Sequence, residues 1–224
     1  MKILVTCGPS YEPIDQVRRM TNFSTGRLGI TLANFLFQEG HEVICLKGEG
    51  STFPGPVATP QLEIFSTNDD LAQRLAILSR SESIDAVFHA AALCDYKVAQ
   101  VLAATGETIS SPKFATRDGP LQIMIEPALK VLPKMRDWFP NALIAGWKYE
   151  LAGTRDQALA KAWNQIHECR TDACVLNGAA YGEGFALCQT IGGLAQPCAD
   201  AASLCRALED WLRAATKAAS FRQP

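Results

Sequence analysis

Lys2-Ile3-Leu4-Val5-Thr6, then Leu28, Leu32, Phe35 and Leu36 at helical spacing, then Gly40 and His41-Glu42-Val43-Ile44-Cys45-Leu46, is the stretch that decides the fold. An apolar run of strand length, a helix over 25–39 closed by glycine, and a second apolar run make one βαβ unit. The alternation continues outward. Strands are predicted at 62–65, 84–89, 121–125, 142–147 and 173–177, and helices at 69–79, 129–138 and 154–169. A last amphipathic helix over 199–218 carries Leu204, Leu208, Trp211 and Leu212 on one face. Near-continuous apolar strands between helices predict an α/β fold: a Rossmann-like, doubly wound, mostly parallel sheet with helices on both faces. There is no internal repeat and no linker, so residues 1–224 read as a single domain. In 90–119 the periodicity fails over about twice the length that compact domains usually leave structureless, which marks a functional or mobile segment.

Composition narrows the function classes. The chain has 224 residues, 48% of them apolar, and a formal net charge of -2, so no strong field recruits nucleic acid or an anionic membrane. No segment has the length of a spanning helix, and residues 2–6 are too short for a secretory core, so a cytoplasmic protein is expected. Eight cysteines are scattered without a Cys-x-x-Cys or neighbouring His pairs, which predicts reduced thiols acting as small hydrophobes and no zinc site.

In an open parallel sheet ligands bind beyond the carboxyl ends of the strands, and the loop after the first strand is the most informative. It lacks the Gly-x-Gly-x-x-Gly dinucleotide fingerprint. It carries instead Asn22-x-Ser24-Thr25-Gly26-x-x-Gly29 at the mouth of the first helix, where free N–H groups and the helix dipole favour phosphate. Gly26 lets the backbone approach the phosphates, and Gly29 lets the helix pack close to the sheet. The structural alternative is a Ser or Thr N-cap followed by two packing glycines.

The whole run from Thr6 to Gly29, with Gly8-x-x-x-Glu12-Pro13-Ile14-Asp15-x-Val17-Arg18, resembles the signature of the phosphopantothenoylcysteine synthetases (phosphopantothenate–cysteine ligases). Ala90-Ala91-Ala92-Leu93-Cys94-Asp95-Tyr96 is similar to that family's turn after the fourth strand. Gly119-Pro120-Leu121-Gln122-Ile123, Trp147-Lys148-Tyr149-Glu150 and Val175-Leu176-Asn177 resemble later segments, in a version nearer the eukaryotic stand-alone enzymes. The likeness covers about residues 2–190.

The resemblance implies a ligase of coenzyme A biosynthesis. The carboxylate of 4'-phosphopantothenate attacks CTP or ATP, with Mg2+, to give an acyl-nucleotide, and the cysteine amine then displaces the nucleotide. It implies Asn22 as the group holding the acyl-nucleotide, with Gly8, Ser24, Gly26 and Gly29 at the phosphates. Ala91 and Ala92 would present main-chain groups, Asp95 would serve nucleotide and metal, and Trp147 and Asn177 would contact the nucleotide. Arg18 and Arg19 are candidates for the substrate phosphate, because Arg pairs bidentately with phosphate oxygens. The family's loop lysine falls at Thr108-Ile109 here, with Lys113 as its substitute, and bacterial triphosphate lysines are replaced by Gln165 and Cys169. The resemblance further implies a homodimer, no flavin, and a separate decarboxylase chain for the next step. His89 reads as a packed or capping strand-end residue and 178–198 has no assigned role. A non-catalytic nucleotide binder is the alternative. A nicotinamide-dependent reductase fits less well, because the second strand ends in Leu46-Lys47 rather than an acid and no Tyr-x-x-x-Lys pair stands out.

Overall fold

The computed structural model describes residues 1–220. In chain order the elements are β1 (Lys2–Cys7), β2 (Tyr11–Pro13), β3 (Arg19–Thr21), α1 (Arg27–Gln38), β4 (Glu42–Gly48), β5 (Gln61–Phe65), α2 (Asn68–Ser81), β6 (Ala86–His89) and β7 (Tyr96–Ala103). They continue with β8 (Leu121–Pro127), α3 (Met135–Trp138), β9 (Leu143–Tyr149), α4 (Arg155–Cys169), β10 (Ala173–Asn177), β11 (Phe185–Gln189), β12 (Leu194–Cys198) and α5 (Ala201–Ser220).

Eight strands form one sheet in the order β12-β11-β10-β9-β6-β1-β4-β5. From β5 to β10 every pairing is parallel. The chain builds outward from β1 through β4 to β5, then returns to β6 on the other side of β1. The crevice at the carboxyl ends of β1 and β6 is therefore the topological switch point, where such sheets hold ligands.

Side-chain alternation along the strands supplies both faces of the core. Ile3, Val5 and Phe88 pack with Ile30 and Leu36 of α1 and with Leu204, Leu208 and Trp211 of α5. Leu4, Val87 and Ile144 meet Leu71 and Leu75 of α2 and Met135 of α3 on the opposite face. Ala158, Ala162 and Ile166 of α4 cover Cys174 and Leu176 there. All eight cysteines are buried and unbridged.

Three segments depart from the sequence reading. Within 90–119 lies β7, which pairs antiparallel with β8 in a two-stranded ribbon outside the main sheet. The 121–125 strand exists, yet it is no part of the central sheet. Most of β8 is exposed, so neither strand has the one-sided burial that writes a period of two into sequence. The helix expected over 129–138 is reduced to a 3-10 turn at Leu132–Lys134 and the short α3, with Pro133 unable to donate in the helical ladder. Residues 178–198 supply β11 and β12, which extend the sheet antiparallel from β10.

Gly29 shows how tightly α1 is seated: a Cβ there would stand 2.3 Å from the Cys7 Cβ. Replacing a helical glycine by alanine ordinarily gains about 0.5–1 kcal/mol. Overpacking against a strand costs about 1–3 kcal/mol and outweighs that gain. Gly29→Ala is therefore expected to be net destabilising, read as a lower denaturant midpoint at unchanged m-value.

Candidate functional site

The mouth of α1 is built from glycine. Its N-cap is Gly26, left-handed at φ 79°, with no side-chain cap and no acidic residue in the first turn. The Ser/Thr cap alternative is thus not what forms. Ser24 Oγ and Thr25 Oγ1 only accept long bonds, from the Gly26 N–H at 3.4 Å and the Arg27 N–H at 3.3 Å. Gly8 also has φ 79°. A Cβ on Gly8 or Gly26 would lie 1.9 or 2.7 Å from Ser51 Oγ, so two loops and the helix mouth nest around that hydroxyl. Ser51 Oγ is buried without a hydrogen-bond partner. Open amide donors and an uncapped helix N-terminus are an arrangement that can hold an anion.

Asn22 lies across the switch point. Its Nδ2 donates to the carbonyls of Ala92 at 3.2 Å and Leu93 at 2.9 Å. Main-chain bonds reinforce the join: the Ala92 N–H donates to Gly8 O at 2.9 Å, and the Ser10 N–H to Ala92 O at 3.2 Å. Beneath runs a buried network that the sequence did not disclose. Ser10 Oγ donates to Asn68 Oδ1 at 2.7 Å and accepts from the Cys94 N–H at 2.8 Å. Asn68 Nδ2 donates to Cys94 O and Leu129 O at 2.8 and 2.9 Å. An Asn at the start of a helix reads as a cap, but here Thr67 caps α2 and Asn68, 1% exposed, ties three loops together.

On the α2/α3 side of that turn opens a cleft of 240 Å3, whose lining includes Asn68, His89, Ala91, Lys130, Gln165 and Cys169. Asp95 sits at its rim in an ion pair with Lys130, a residue the sequence reading did not single out. His89 is buried, its Nδ1 2.7 Å from Thr6 Oγ1. Burial lowers its pKa to about 4, so the ring is neutral at neutral pH. Trp147 also borders the cleft, while its ring meets Phe88 edge-on with centroids 6.5 Å apart and its Nε1 is buried without a partner. Asn177 ends β10 half-buried, and its carbonyl accepts from the Glu150 N–H at 2.9 Å.

The structure does not bring Lys113, Arg18 and Arg19 together with Asn22 in the same way. The turn between β2 and β3 is organised by Asp15. Its carboxylate accepts from the Val17 and Arg18 N–H groups at 2.8 and 2.6 Å, from Arg18 Nη1 at 2.6 Å, and from the Phe114 N–H at 3.3 Å. Arg18 Nη2 donates to Phe114 O, and the Gln16 N–H to Pro112 O. The loop carrying Lys113 is therefore docked at the tip of the hairpin. Asn22 is at the other end of β3, four residues or about 13 Å of extended chain away. Arg19 lies over the Tyr11 ring, 4.7 Å from its centroid, and 4.0 Å from Glu49.

Comparison with known proteins accords with this geometry. The profile of the DNA/pantothenate metabolism flavoprotein C-terminal domain matches residues 1–202. The chain belongs to that family. It is 27% identical over 179 residues to the coenzyme A biosynthesis bifunctional protein CoaBC of Thermococcus kodakarensis, covering 79% of this chain and 41% of that one. The chain thus spans about two fifths of that relative's length. Among solved structures, the DNA/pantothenate metabolism flavoprotein from Streptococcus pneumoniae superposes with a TM-score of 0.82 at 20% identity, over 96% of this chain and 99% of the other. A Cab2 mutant in complex with phosphopantothenate-cysteine gives 0.71 at 18% identity, over 96% and 88%. At such identities the two structures establish the shared fold.

Burial by itself would raise the Asp15 pKa, but the N–H groups of Val17, Arg18 and Phe114 and the Arg18 charge more than offset it and hold it below the usual value. A depressed carboxyl stabilises above its unfolded pKa near 4, and that contribution is lost as pH falls through the lower folded value. Asp15→Asn should remove this acid-side dependence. At neutral pH it should loosen the hairpin tip, read as faster hydrogen exchange at the Phe114 amide and faster tryptic cleavage after Lys113, with the Ile3 and Val5 amides unchanged.

Proposed function

We propose that this chain is a phosphopantothenate–cysteine ligase, joining 4'-phosphopantothenate to cysteine through an acyl-nucleotide. The observation that carries the reading is the bond from Asn22 to the Ala92 and Leu93 carbonyls beside the uncapped α1 mouth. Both motifs of the resemblance meet there, at the switch point of a sheet whose family is established.

In the first half-reaction the substrate carboxylate displaces pyrophosphate from the nucleotide α-phosphate. In the second the cysteine amine displaces the nucleoside monophosphate. Both steps build negative charge on oxygen, so fixed donors matter more than a protein nucleophile. The N–H groups around Gly8, Ser24, Gly26 and Gly29 take the phosphates. The Asn22 amide orients the acyl group, with Ala91 presenting main chain; the Ala92 N–H and carbonyl are taken by Gly8, Ser10 and Asn22, so Ala92 holds the turn in place rather than meeting substrate. Trp147, near the end of β9, and Asn177, which ends β10, take the nucleoside. Arg18 and Arg19, whose side chains are 42% and 44% exposed, are the groups for the substrate phosphate. Lys113 serves the second half-reaction by movement of its loop.

Mg2+ is commonly held by one or two carboxylates together with substrate phosphates and water. Asp95, an exposed carboxylate at the cleft rim now paired with Lys130, would supply one such ligand. When bound, the ion would neutralise phosphate charge.

We also propose a homodimer assembled through the β7–β8 ribbon. Tyr96, Ile123, Met124 and Ile125 are 43–51% exposed there, an apolar surface rarely left open to water. No helix among the described residues is long and apolar enough to cross a membrane. The reading is that of a single synthetase domain acting in the cytoplasm.

Pyrophosphate release from Mg2+, 4'-phosphopantothenate and CTP or ATP tests the ligase and ranks the nucleotides; no release with either would sink it. Asn22→Ala should abolish release while leaving the melting temperature near that of the parent, because its side chain is exposed. A folded and fully active Asn22→Ala protein would place the site elsewhere. For the assembly, sedimentation velocity of an Ile123→Lys, Ile125→Glu double variant should show a monomer where the parent shows a dimer.

A further inference from the structure

Away from the switch point, a second cleft of 370 Å3 opens between α1, the first turns of α5 and the strap of chain that joins β4 to β5. None of its lining residues is given above to nucleotide, metal or substrate. Its volume lies within the roughly 300–1,000 Å3 that pockets for small molecules occupy. Thr31, Phe35 and Gln38 supply one wall, a single stripe of α1. Phe53 of the strap adds a second ring, and Arg206 of α5 brings the only charge to the lining.

The polar groups there divide in two. The Asn34 carboxamide is fully used in holding the strap: Nδ2 donates to Pro56 O at 2.9 Å and Oδ1 accepts from the Ala58 N–H at 2.8 Å. The side chains of Thr31, Gln38 and Arg206 make no hydrogen bond or ion pair among the described residues. Asp200 attracts Arg206 without bonding it, since its carboxylate caps α5 by accepting from the Ser203 N–H at 2.7 Å. An unbonded guanidinium beside two partly buried phenyl rings suits a flat apolar body that ends in a carboxylate, which Arg can bind through two parallel N–H groups.

The strap has a second face. Ser51, two residues before Phe53, fills the niche between Gly8 and Gly26 and so shapes the cradle at the mouth of α1. The Phe53 N–H donates to Thr25 O at 3.0 Å, and Arg27 of the first turn lies 5.9 Å over the Phe53 ring. The cradle keeps its form only while the strap is seated, yet Thr52, Pro54, Pro56 and Ala58 are exposed and Ser51 Oγ has no hydrogen bond to hold it.

We propose that this cleft binds a small aromatic carboxylate, with Arg206 on the carboxylate and Phe35 and Phe53 on the ring, and that its occupancy is coupled through the strap to the mouth of α1. A ligand resting on Phe53 favours the seated strap and thereby the formed cradle, because a ligand shifts a conformation by the affinity it gains there. The site stands on its own geometry, whereas the coupling rests on the ligase reading.

Binding is tested with indole-3-acetate against its neutral twin, indole-3-acetamide. The acid should shift the NMR signals of the Gly55 amide and the Gln38 carboxamide saturably. Its affinity should exceed that of the amide by about tenfold, the scale of one charge-assisted bond. Arg206→Met, a change at an exposed side chain, should lower the acid to the affinity of the amide. No saturable shift, equal affinity for acid and amide, or an undiminished affinity in the variant each overturns the site. In pyrophosphate release, saturating acid should lower the KM for nucleotide by about fivefold in the wild type, the lower end of ordinary coupling between sites, and leave Arg206→Met unmoved. A wild-type KM that does not move overturns the coupling. Absence of any pyrophosphate release overturns the ligase reading and the coupling with it, while the binding measurements still decide the site.

Discussion

The buried hydrogen bonds of Asn68 are the constraint on which the candidate site depends. A carboxamide that is 1% exposed must have its polar atoms paired, because an orphaned buried group costs on the order of 1–3 kcal/mol. Asn68 meets that demand by bonding Ser10 from the first loop, Cys94 from the turn after β6, and Leu129 from the segment after β8. Three loops distant in sequence are thereby held in one register beneath the switch point. Asn22 spans the same join from above, and the glycine mouth of α1 closes it from the side.

That arrangement divides the site into rigid and adjustable parts. The cradle is rigid because Gly8, Gly26 and Ser51 interlock and Gly29 brings α1 against β1. Donors held in this way need no reorganisation when charge develops on phosphate or acyl oxygen. The hairpin tip and the Lys113 loop are held differently. They are joined by the carboxylate of Asp15 with the Arg18–Phe114 and Gln16–Pro112 bonds, and most of the loop around these contacts is exposed. A segment with few buried contacts opens more readily than the sheet it adjoins. The groups proposed for substrate phosphate and for the second half-reaction thus sit on the part that can move.

The resemblance of the first loop to a known family and the tertiary structure bear on each other at particular residues. Gly29 has the helix–sheet packing role that its position implied. Gly26 departs from the side-chain cap that a Ser-Thr pair before a helix invites, because a left-handed glycine makes the turn and leaves the amides open. His89 reads in sequence as a packed strand-end residue. It is packed, yet its ring also borders a cleft, because successive residues of β6 point to opposite faces.

Local pattern was enough for the parallel strands, the long helices and the close seating of α1 at Gly29, because burial on both faces writes apolar runs and close backbone approach demands glycine. It was not enough where residues are exposed on both sides or where the partner is far along the chain. The β7–β8 ribbon has no one-sided burial, so its period is lost, and β11 and β12 acquire meaning only by pairing beside β10. The Asn68 network, the Asp15 contact with the Lys113 loop and the Lys130–Asp95 pair each join residues 26 or more positions apart. Composition and spacing carry no trace of such contacts, since a polar side chain reads alike in sequence whether it meets water or a carbonyl brought to it by the fold.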